Sequence, residues 1–238
     1  MKILAMDTSS NRATVALLED NKLIKEKHIN DSKTHSEKLM PLIDEVLKAN
    51  NVTLNDIDLF ACGVGPGSFT GVRIGVSTVK GFVDSTKKPC IPVSSFESLA
   101  CSALREYFRE VDFRSICVLI DAKNDSCYYG TFFKAEDSAF KIVDDSGYAS
   151  NDEILNKLKE YPFPIIFIGD AANNLKYKIL EKYPKSVFAP PQFNDLNAEN
   201  VGICGYYKQK LHMTGDGDIL NPIYLRKSEA ERKLDGED

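Results

Sequence analysis

The same order of predicted elements runs twice along this chain. In each half, three strand-like segments come first, followed by helix, strand, helix, strand and helix. The first strand of each half ends in an aspartate, Asp7 and Asp121. Doubly wound sheets are disfavoured, because they alternate strand and helix from their start. The order predicts two related lobes of βββαβαβα topology.

The boundaries of these segments follow hydrophobic periodicity and turn residues. The first half predicts strands 3–6, 13–18, 23–28, 59–63 and 91–93, and helices 37–47, 69–83 and 94–108. The second half predicts strands 116–120, 127–133, 140–143, 165–168 and 186–189, and helices 151–159, 171–182 and 197–210. We expect an N-terminal lobe at residues 1–109 and a C-terminal lobe at 110–238, with a charged, frayed tail from residue 227.

Two such lobes around a nucleotide cleft form the actin/Hsp70/sugar-kinase (ASKHA) superfold. Its kinases carry a D-x-G-x-T phosphate loop after the first strand, whereas this chain has Ser9 at the glycine position after Asp7. A Cβ at that position crowds the approach of a phosphate. Gly169 follows a strand where the superfold contacts adenosine. Asp7, Ser9 and Gly169 are therefore interpreted as remnants of a nucleotide cleft, and no cofactor is expected. For Asp7 the alternative is a hairpin cap that accepts backbone hydrogen bonds.

The segment from Gly63 to Gly71 is rich in glycine and opens a predicted helix. It matches neither a P-loop nor the G-x-G-x-x-G fingerprint. A stripe of small residues follows on that helix, formed by Gly71, Gly75 and Thr78. Glycine inside a helix costs about 1 kcal/mol relative to alanine. The stripe therefore predicts the close approach of another element. The candidates are helix 37–47 of the same lobe and a helix of a second chain, and the two are compatible.

The composition argues against several function classes. The chain has 30 basic and 35 acidic residues, whereas proteins that bind nucleic acid by themselves carry a basic surplus. It has no C-x-x-C pair, and no second histidine follows His35 four residues on, so no metal site is expected. An acid at position 7 interrupts any signal-peptide core, and no apolar run is long enough to span a membrane. We expect a cytoplasmic protein without membrane contact.

Three motifs together resemble the bacterial TsaB (YeaZ) family. They are Met1-Lys2-Ile3-Leu4-Ala5-Met6-Asp7-Thr8-Ser9, Thr34-His35-Ser36-Glu37 and Gly65-Pro66-Gly67-Ser68-Phe69-Thr70-Gly71-Val72-Arg73-Ile74-Gly75. Pro222-Ile223-Tyr224-Leu225-Arg226 looks like the family's closing motif. The match is strong over residues 1–100 and loose beyond them.

This resemblance implies a non-catalytic partner of the paralogue TsaD, working with the ATPase TsaE. The reaction forms N6-threonylcarbamoyladenosine at position 37 of tRNAs that read A-starting codons. Catalytic residues are not expected. The resemblance further implies that the chain contacts tRNA only through the complex, and that the isolated chain forms a homodimer. The N-lobe helices supply the expected interface, with Glu37, Leu39, Leu42, Ile43, Val46, Gly71, Val72, Gly75, Thr78 and Val79.

Two other functions stay open at this point. A small-molecule kinase or ATPase of the same superfold is favoured by Asp7 and Asp121, if both face the cleft, and disfavoured by Ser9 and by the short chain. A metallopeptidase is the second alternative, and the single His35 argues against it.

Overall fold

The computed structural model describes residues 1–30, 35–103, 111–134 and 140–227. Within it the chain divides into two compact units. The first unit consists of the described residues within 1–98 and 196–227, and the second of those within 99–195. The boundary falls inside helix α3, Ser95–Ala103. No helix of the described residues is both long enough and apolar enough to cross a membrane.

The first unit is built on a five-stranded mixed sheet. Its strands are β1 (Lys2–Asp7), β2 (Ala13–Glu19), β3 (Lys22–Ile29), β4 (Leu59–Gly63) and β5 (Cys90–Val93). Their order is β3-β2-β1-β4-β5, with β1 antiparallel to β2 and parallel to β4. β1, β2 and β4 are buried along nearly their whole length, because helices cover both faces of the sheet.

Two helices cover one face of this sheet. They are α1 (His35–Lys48) and α2 (Phe69–Thr86), and their apolar sides share one core with the strands. The opposite face packs against α6 (Ala198–Lys210), which comes from the end of the chain. Its glycines allow this close packing, since a Cβ at Gly202 would lie 2.3 Å from a methyl carbon of Leu18.

The second unit repeats the same sheet. Its strands are β6 (Ser115–Asp121), β7 (Ser126–Lys134), β8 (Phe140–Ser150), β9 (Ile165–Ile168) and β10 (Val187–Phe188). Their order, β8-β7-β6-β9-β10, matches that of the first sheet strand for strand. Helices α4 (Asn151–Lys157) and α5 (Asp170–Lys182) pack on it and share its core.

The predicted order of elements is confirmed where the structure describes the chain. The Ser94 and Glu97 cap at the start of α3 is present, with Ser94 N donating to Glu97 Oε2 at 2.7 Å. The predicted cap at Thr34, helix 94–108 beyond Ala103 and the frayed tail beyond Lys227 lie outside the described residues.

The predicted lobe boundary needs a correction. The sequence pattern places residues 196–227 in the C-terminal lobe of residues 110–238, but they pack with the first unit. The apolar side of α6, with Ala198 and Val201, is buried against strands of the first sheet. The C-terminal segment then continues along the same unit, where Leu220 is fully buried. An apolar stripe predicts that a helix is buried, but it does not identify the sheet that buries it.

Candidate functional site: the loop after the first strand

The loop that follows β1 is held by a buried carboxylate. Asp7 is buried at the end of the strand, and its Oδ1 accepts hydrogen bonds from Ser9 N at 2.8 Å and Ser9 Oγ at 2.6 Å. Ser9 Oγ also lies 3.2 Å from Ser95 Oγ, which comes from the first turn of α3. Asp7 therefore acts as a cap for its own loop, with Ser9 closed over it.

Burial raises the pKa of the Asp7 carboxyl, while the hydrogen bonds from Ser9 and the nearby His35 oppose that shift. The second oxygen, Oδ2, is buried without a hydrogen-bond partner in the described part of the chain. His35 at the start of α1 is 2 % exposed, and its Nε2 likewise has no partner there. The described residues contain no group of three or more histidine, cysteine or acidic side chains that could hold a metal ion.

The glycine-rich turn before α2 uses its hydrogen-bond donors internally. Ser68 N donates to the carbonyl oxygen of Ser9 at 2.6 Å, and Gly71 N donates to Ser68 Oγ at 3.2 Å. The turn is joined to the end of the chain as well, because Ile223 N donates to Val64 O at 2.8 Å. Free backbone N–H groups at a helix start can hold an anion. Here two of them are already occupied by protein atoms.

The small residues of α2 pack against this loop. A Cβ at Gly71 would lie 2.0 Å from the carbonyl oxygen of Thr8, and a Cβ at Gly75 would lie 2.5 Å from Thr8 Oγ1. Thr8 Oγ1 in turn donates to Gly71 O at 2.7 Å. The close neighbour of these glycines within the unit is therefore Thr8 and not helix 37–47, because they admit the backbone and side chain of Thr8.

Most of the predicted interface residues lie in the core of the first unit. Eight of the ten are buried and therefore not accessible to a partner. They are Leu39, Leu42, Ile43, Val46, Gly71, Val72, Gly75 and Val79. Glu37 is exposed and Thr78 is partly exposed, with its hydroxyl bonded to Ile74 O at 2.8 Å. The apolar stripes that were interpreted as contact surface are the sides on which the helices face their own sheet.

The outer sides of the same helices carry different residues. On α1, Met40 is 50 % exposed and Pro41 is exposed beside it. On α2, Ser77, Gly81 and Ser85 are exposed at intervals of four residues and so share one side of the helix. Apart from the neighbouring residues and backbone of its own helix, no heavy atom in the described part of the chain lies within 4 Å of the position that a Cβ at Gly81 would take. This second line of small residues could have been identified from the spacing in the sequence.

An aromatic and cationic cluster near the start of α2 was also missed. The rings of Phe69 and Tyr224 stack with centroids 4.3 Å apart, and the Arg73 guanidinium carbon lies 4.0 Å from the Phe69 centroid. Phe69 and Arg73 belong to the glycine-rich motif, and Tyr224 belongs to the motif at residues 222–226. However, 151 residues separate Arg73 from Tyr224, and nothing local indicates that they meet.

Gly169 belongs to the second unit, whereas Asp7 and Ser9 meet in the first. Its φ is 108°, a conformation that favours glycine, and a Cβ there would lie 2.2 Å from the carbonyl oxygen of Leu119. Its N–H donates to Asn194 Oδ1 at 2.8 Å. Packing within the second unit is therefore sufficient to explain this glycine without a nucleotide.

Comparison with known proteins identifies the family. Residues 24–234 match the family model TsaD, described as tRNA N6-adenosine threonylcarbamoyltransferase. The tRNA threonylcarbamoyladenosine biosynthesis protein TsaB of Bacillus subtilis (strain 168) is 32 % identical over 235 residues, which are 98 % of this chain and 97 % of that protein.

Solved structures agree with this assignment at the level of the fold. YeaZ from Pseudomonas aeruginosa superimposes with a TM-score of 0.74 at 22 % identity, covering 94 % of this chain and 99 % of that one. A ROK hexokinase from Thermus thermophilus superimposes with a TM-score of 0.53 at 10 % identity, covering 88 % of this chain and 99 % of the hexokinase chain. The predicted actin/Hsp70/sugar-kinase superfold is thereby confirmed. The chain belongs to the TsaB (YeaZ) family, within the wider group that the threonylcarbamoyltransferase model describes.

Proposed function

We propose that this chain takes part in tRNA threonylcarbamoyladenosine synthesis as a non-catalytic partner of TsaD. In this proposal it stabilises and positions TsaD, together with TsaE, while TsaD forms N6-threonylcarbamoyladenosine at position 37 of tRNAs that read A-starting codons. The relative in Bacillus subtilis is named as a tRNA threonylcarbamoyladenosine biosynthesis protein. The reaction takes place in the cytoplasm, and the chain contributes surface and no cofactor chemistry.

The observation that carries the proposal is the hydrogen bond from Ser68 N to Ser9 O, 2.6 Å long. It joins the glycine-rich turn to the loop where kinases of the superfold hold phosphate. With Ser9 Oγ on the Asp7 carboxylate, protein atoms take the donors that a phosphate needs there. This arrangement supports a structural role for the loop and argues against the kinase or ATPase alternative.

The outer sides of α1 and α2 are the partner surface in this proposal. The missing Cβ at the exposed position 81 relieves no contact inside the unit, since beyond the neighbouring residues and backbone of its own helix no described atom lies within 4 Å of where that Cβ would be. A helix of another chain that packs across Ser77, Gly81 and Ser85 would benefit from the missing side chains. In the absence of TsaD, the same surface pairs two copies of this chain, and tRNA is bound only by the assembled complex.

Reconstitution of the reaction tests the proposed role. TsaD, TsaE, tRNA and threonylcarbamoyl-adenylate are combined with and without this chain, and modified adenosine is measured by mass spectrometry. We expect modification only when the chain is present, and no turnover of Mg-ATP by the chain on its own. Full modification without the chain, or ATP turnover by the isolated chain, would contradict the proposal.

A matched pair of variants tests the surface. Gly81→Leu adds a side chain on the exposed side of α2, whereas Lys87→Leu replaces the lysine side chain with leucine just after the helix, also at an exposed position. We expect Gly81→Leu to abolish capture of TsaD in a pull-down and Lys87→Leu to retain it. Equal capture by both variants would remove this side of α2 from the interface.

A further inference from the structure

Arg73 is held in place by two aromatic side chains at the surface of the first unit. Its guanidinium carbon lies 4.0 Å from the Phe69 ring centroid and 5.5 Å from that of Tyr224. Its Nε donates a hydrogen bond to the Tyr224 hydroxyl at 2.8 Å. Stacking together with a hydrogen bond restricts a side chain that otherwise has many rotamers. The guanidinium is therefore oriented before any partner arrives.

The C-terminal segment fixes the position of Tyr224. Leu220 is fully buried in the core of the unit, and Ile223 packs against that core. Ile223 N donates to Val64 O at 2.8 Å, in the glycine-rich turn. Phe69 begins the helix that follows this turn. The two aromatic residues around Arg73, Phe69 and Tyr224, are therefore both anchored at the glycine-rich turn.

The guanidinium has donors that the described residues leave unused. Arginine offers five N–H groups, and Nε accounts for one of them. No hydrogen bond or ion pair joins the terminal nitrogens of Arg73 to any described residue, and the side chain is exposed. Lysines of the same unit differ from Arg73 in this respect, since Lys48 pairs with Asp44 at 2.6 Å and Lys208 pairs with Glu97 at 2.8 Å. Arg73 is an oriented cation whose counter-charge lies elsewhere.

We propose that Arg73 is a docking residue whose terminal nitrogens bind the carboxylate of an aspartate or glutamate on TsaD. The inference rests on the proposed function and adds the chemistry of the contact. A planar guanidinium matches a carboxylate with two parallel hydrogen bonds, and pre-ordering reduces the entropy lost on binding. A side-chain carboxylate fits this chain better than RNA, since its 30 basic and 35 acidic residues give a net charge of −5 and no basic surplus of the kind that phosphate binding needs.

Calorimetric titration of the full chain with TsaD at low and high salt tests the proposal. Arg73→Gln is expected to weaken binding at least about tenfold at low salt, because the partner carboxylate loses its counter-charge. Arg73→Lys retains the charge but lacks the planar guanidinium, and its affinity for TsaD is expected to lie between those of the wild type and Arg73→Gln. Tyr224→Phe removes only the hydroxyl that orients Arg73 and weakens binding several-fold. Arg114→Gln, at an exposed arginine of the second unit, is the control and leaves the affinity unchanged.

The dependence on salt separates recognition of charge from a structural role. Salt screens an ion pair, so affinity of the wild-type chain falls as salt rises, and Arg73→Gln shows a shallower fall. Weaker binding with an unchanged salt dependence and a lower Tm would overturn the proposal in favour of a structural role. Unchanged binding by Arg73→Gln overturns it while the proposed function stands. Loss of tRNA affinity by the complex, with TsaD binding intact, would assign Arg73 to phosphate instead. Failure of the wild-type chain to bind TsaD would overturn both.

Discussion

Ser68 donates its backbone N–H to the carbonyl oxygen of Ser9 at 2.6 Å, across 59 residues of chain. This bond places the start of α2 directly on the loop after β1. Because Gly71 and Gly75 lie on the side of α2 that faces the loop, Thr8 packs against their backbone. The glycine-rich motif of this chain thus allows α2 to pack closely against the loop that follows the first strand.

Two glycines of α2 are expected to respond in opposite directions to alanine. Gly71→Ala places a Cβ 2.0 Å from the backbone oxygen of Thr8, so the loop must shift and the free energy of unfolding should fall by about 1–3 kcal/mol. Gly81→Ala meets no described residue outside its own stretch of helix within 4 Å and should raise the free energy of unfolding by up to about 1 kcal/mol. Urea denaturation of both variants measures the difference. Stabilisation by Gly71→Ala would contradict the packing described here.

Asp7 is expected to make stability depend on pH. Burial raises its folded-state pKa above the usual value of 3.8, so the folded chain retains a proton that the unfolded chain has released. Stability contributed by this group is present below 3.8 and is lost as pH rises through the folded-state pKa. Asp7→Asn preserves an oxygen that can accept from Ser9 and removes the titration.

The comparison of Asp7→Asn with the wild-type chain is made by urea denaturation from acid to neutral pH. We expect the variant to gain stability relative to the wild type as pH rises above 3.8. Parallel curves for the two proteins, or a loss of relative stability toward neutral pH, would show that Asp7 is not penalised by burial.

Neighbouring positions on α1 are expected to separate folding from binding. Ile43 is 2 % exposed, and Ile43→Ala should lower the free energy of unfolding by about 2–5 kcal/mol through the cavity it leaves. Met40 is 50 % exposed, so Met40→Ala should change stability by less than about 0.5 kcal/mol and weaken capture of TsaD. Thermal unfolding and pull-down distinguish the two. An Ile43→Ala variant as stable as the wild type would contradict the burial of this residue in the core.

A polar network in the second unit is expected to contribute to its stability. Tyr161 is 6 % exposed and its hydroxyl donates to Asp145 Oδ2, while Lys157 Nζ lies 3.0 Å from Asp145 Oδ1. Burial raises the pKa of the Asp145 carboxyl, but these hydrogen bonds outweigh it and the net pKa is lowered. Tyr161→Phe should lower the free energy of unfolding by about 1.5–3 kcal/mol at neutral pH.

The pH dependence of Tyr161→Phe follows from the lowered pKa of Asp145. Stability from this carboxylate is present above its unfolded pKa of 3.8 and is lost as pH falls through the folded-state pKa. The difference from the wild type should therefore shrink on acidification. Tyr177→Phe, at a tyrosine that is 85 % exposed, is the control and should match the wild type throughout.

Local information was sufficient for the order of elements and for the family. Strands and helices follow from hydrophobic spacing within a few residues, and caps such as Ser94 with Glu97 lie within one turn. The duplicated order of the two sheets follows in the same way, and the glycine-rich motif carries the resemblance to the TsaB family.

The partners of each surface were decided by contacts between residues far apart in the chain. The sequence pattern of α2 indicates that Gly71 and Val72 are buried. Only the fold places Gly71 against Thr8 and Val72 in the core that α1 and α2 share with the first sheet. α6, Ala198–Lys210, reads as the last helix of the second lobe, yet it is buried against the first sheet, whose strands lie within residues 2–93. Tyr224 meets Arg73 for the same reason. Periodicity records how much of a helix is buried, whereas packing between distant elements determines what buries it and which side remains for a partner.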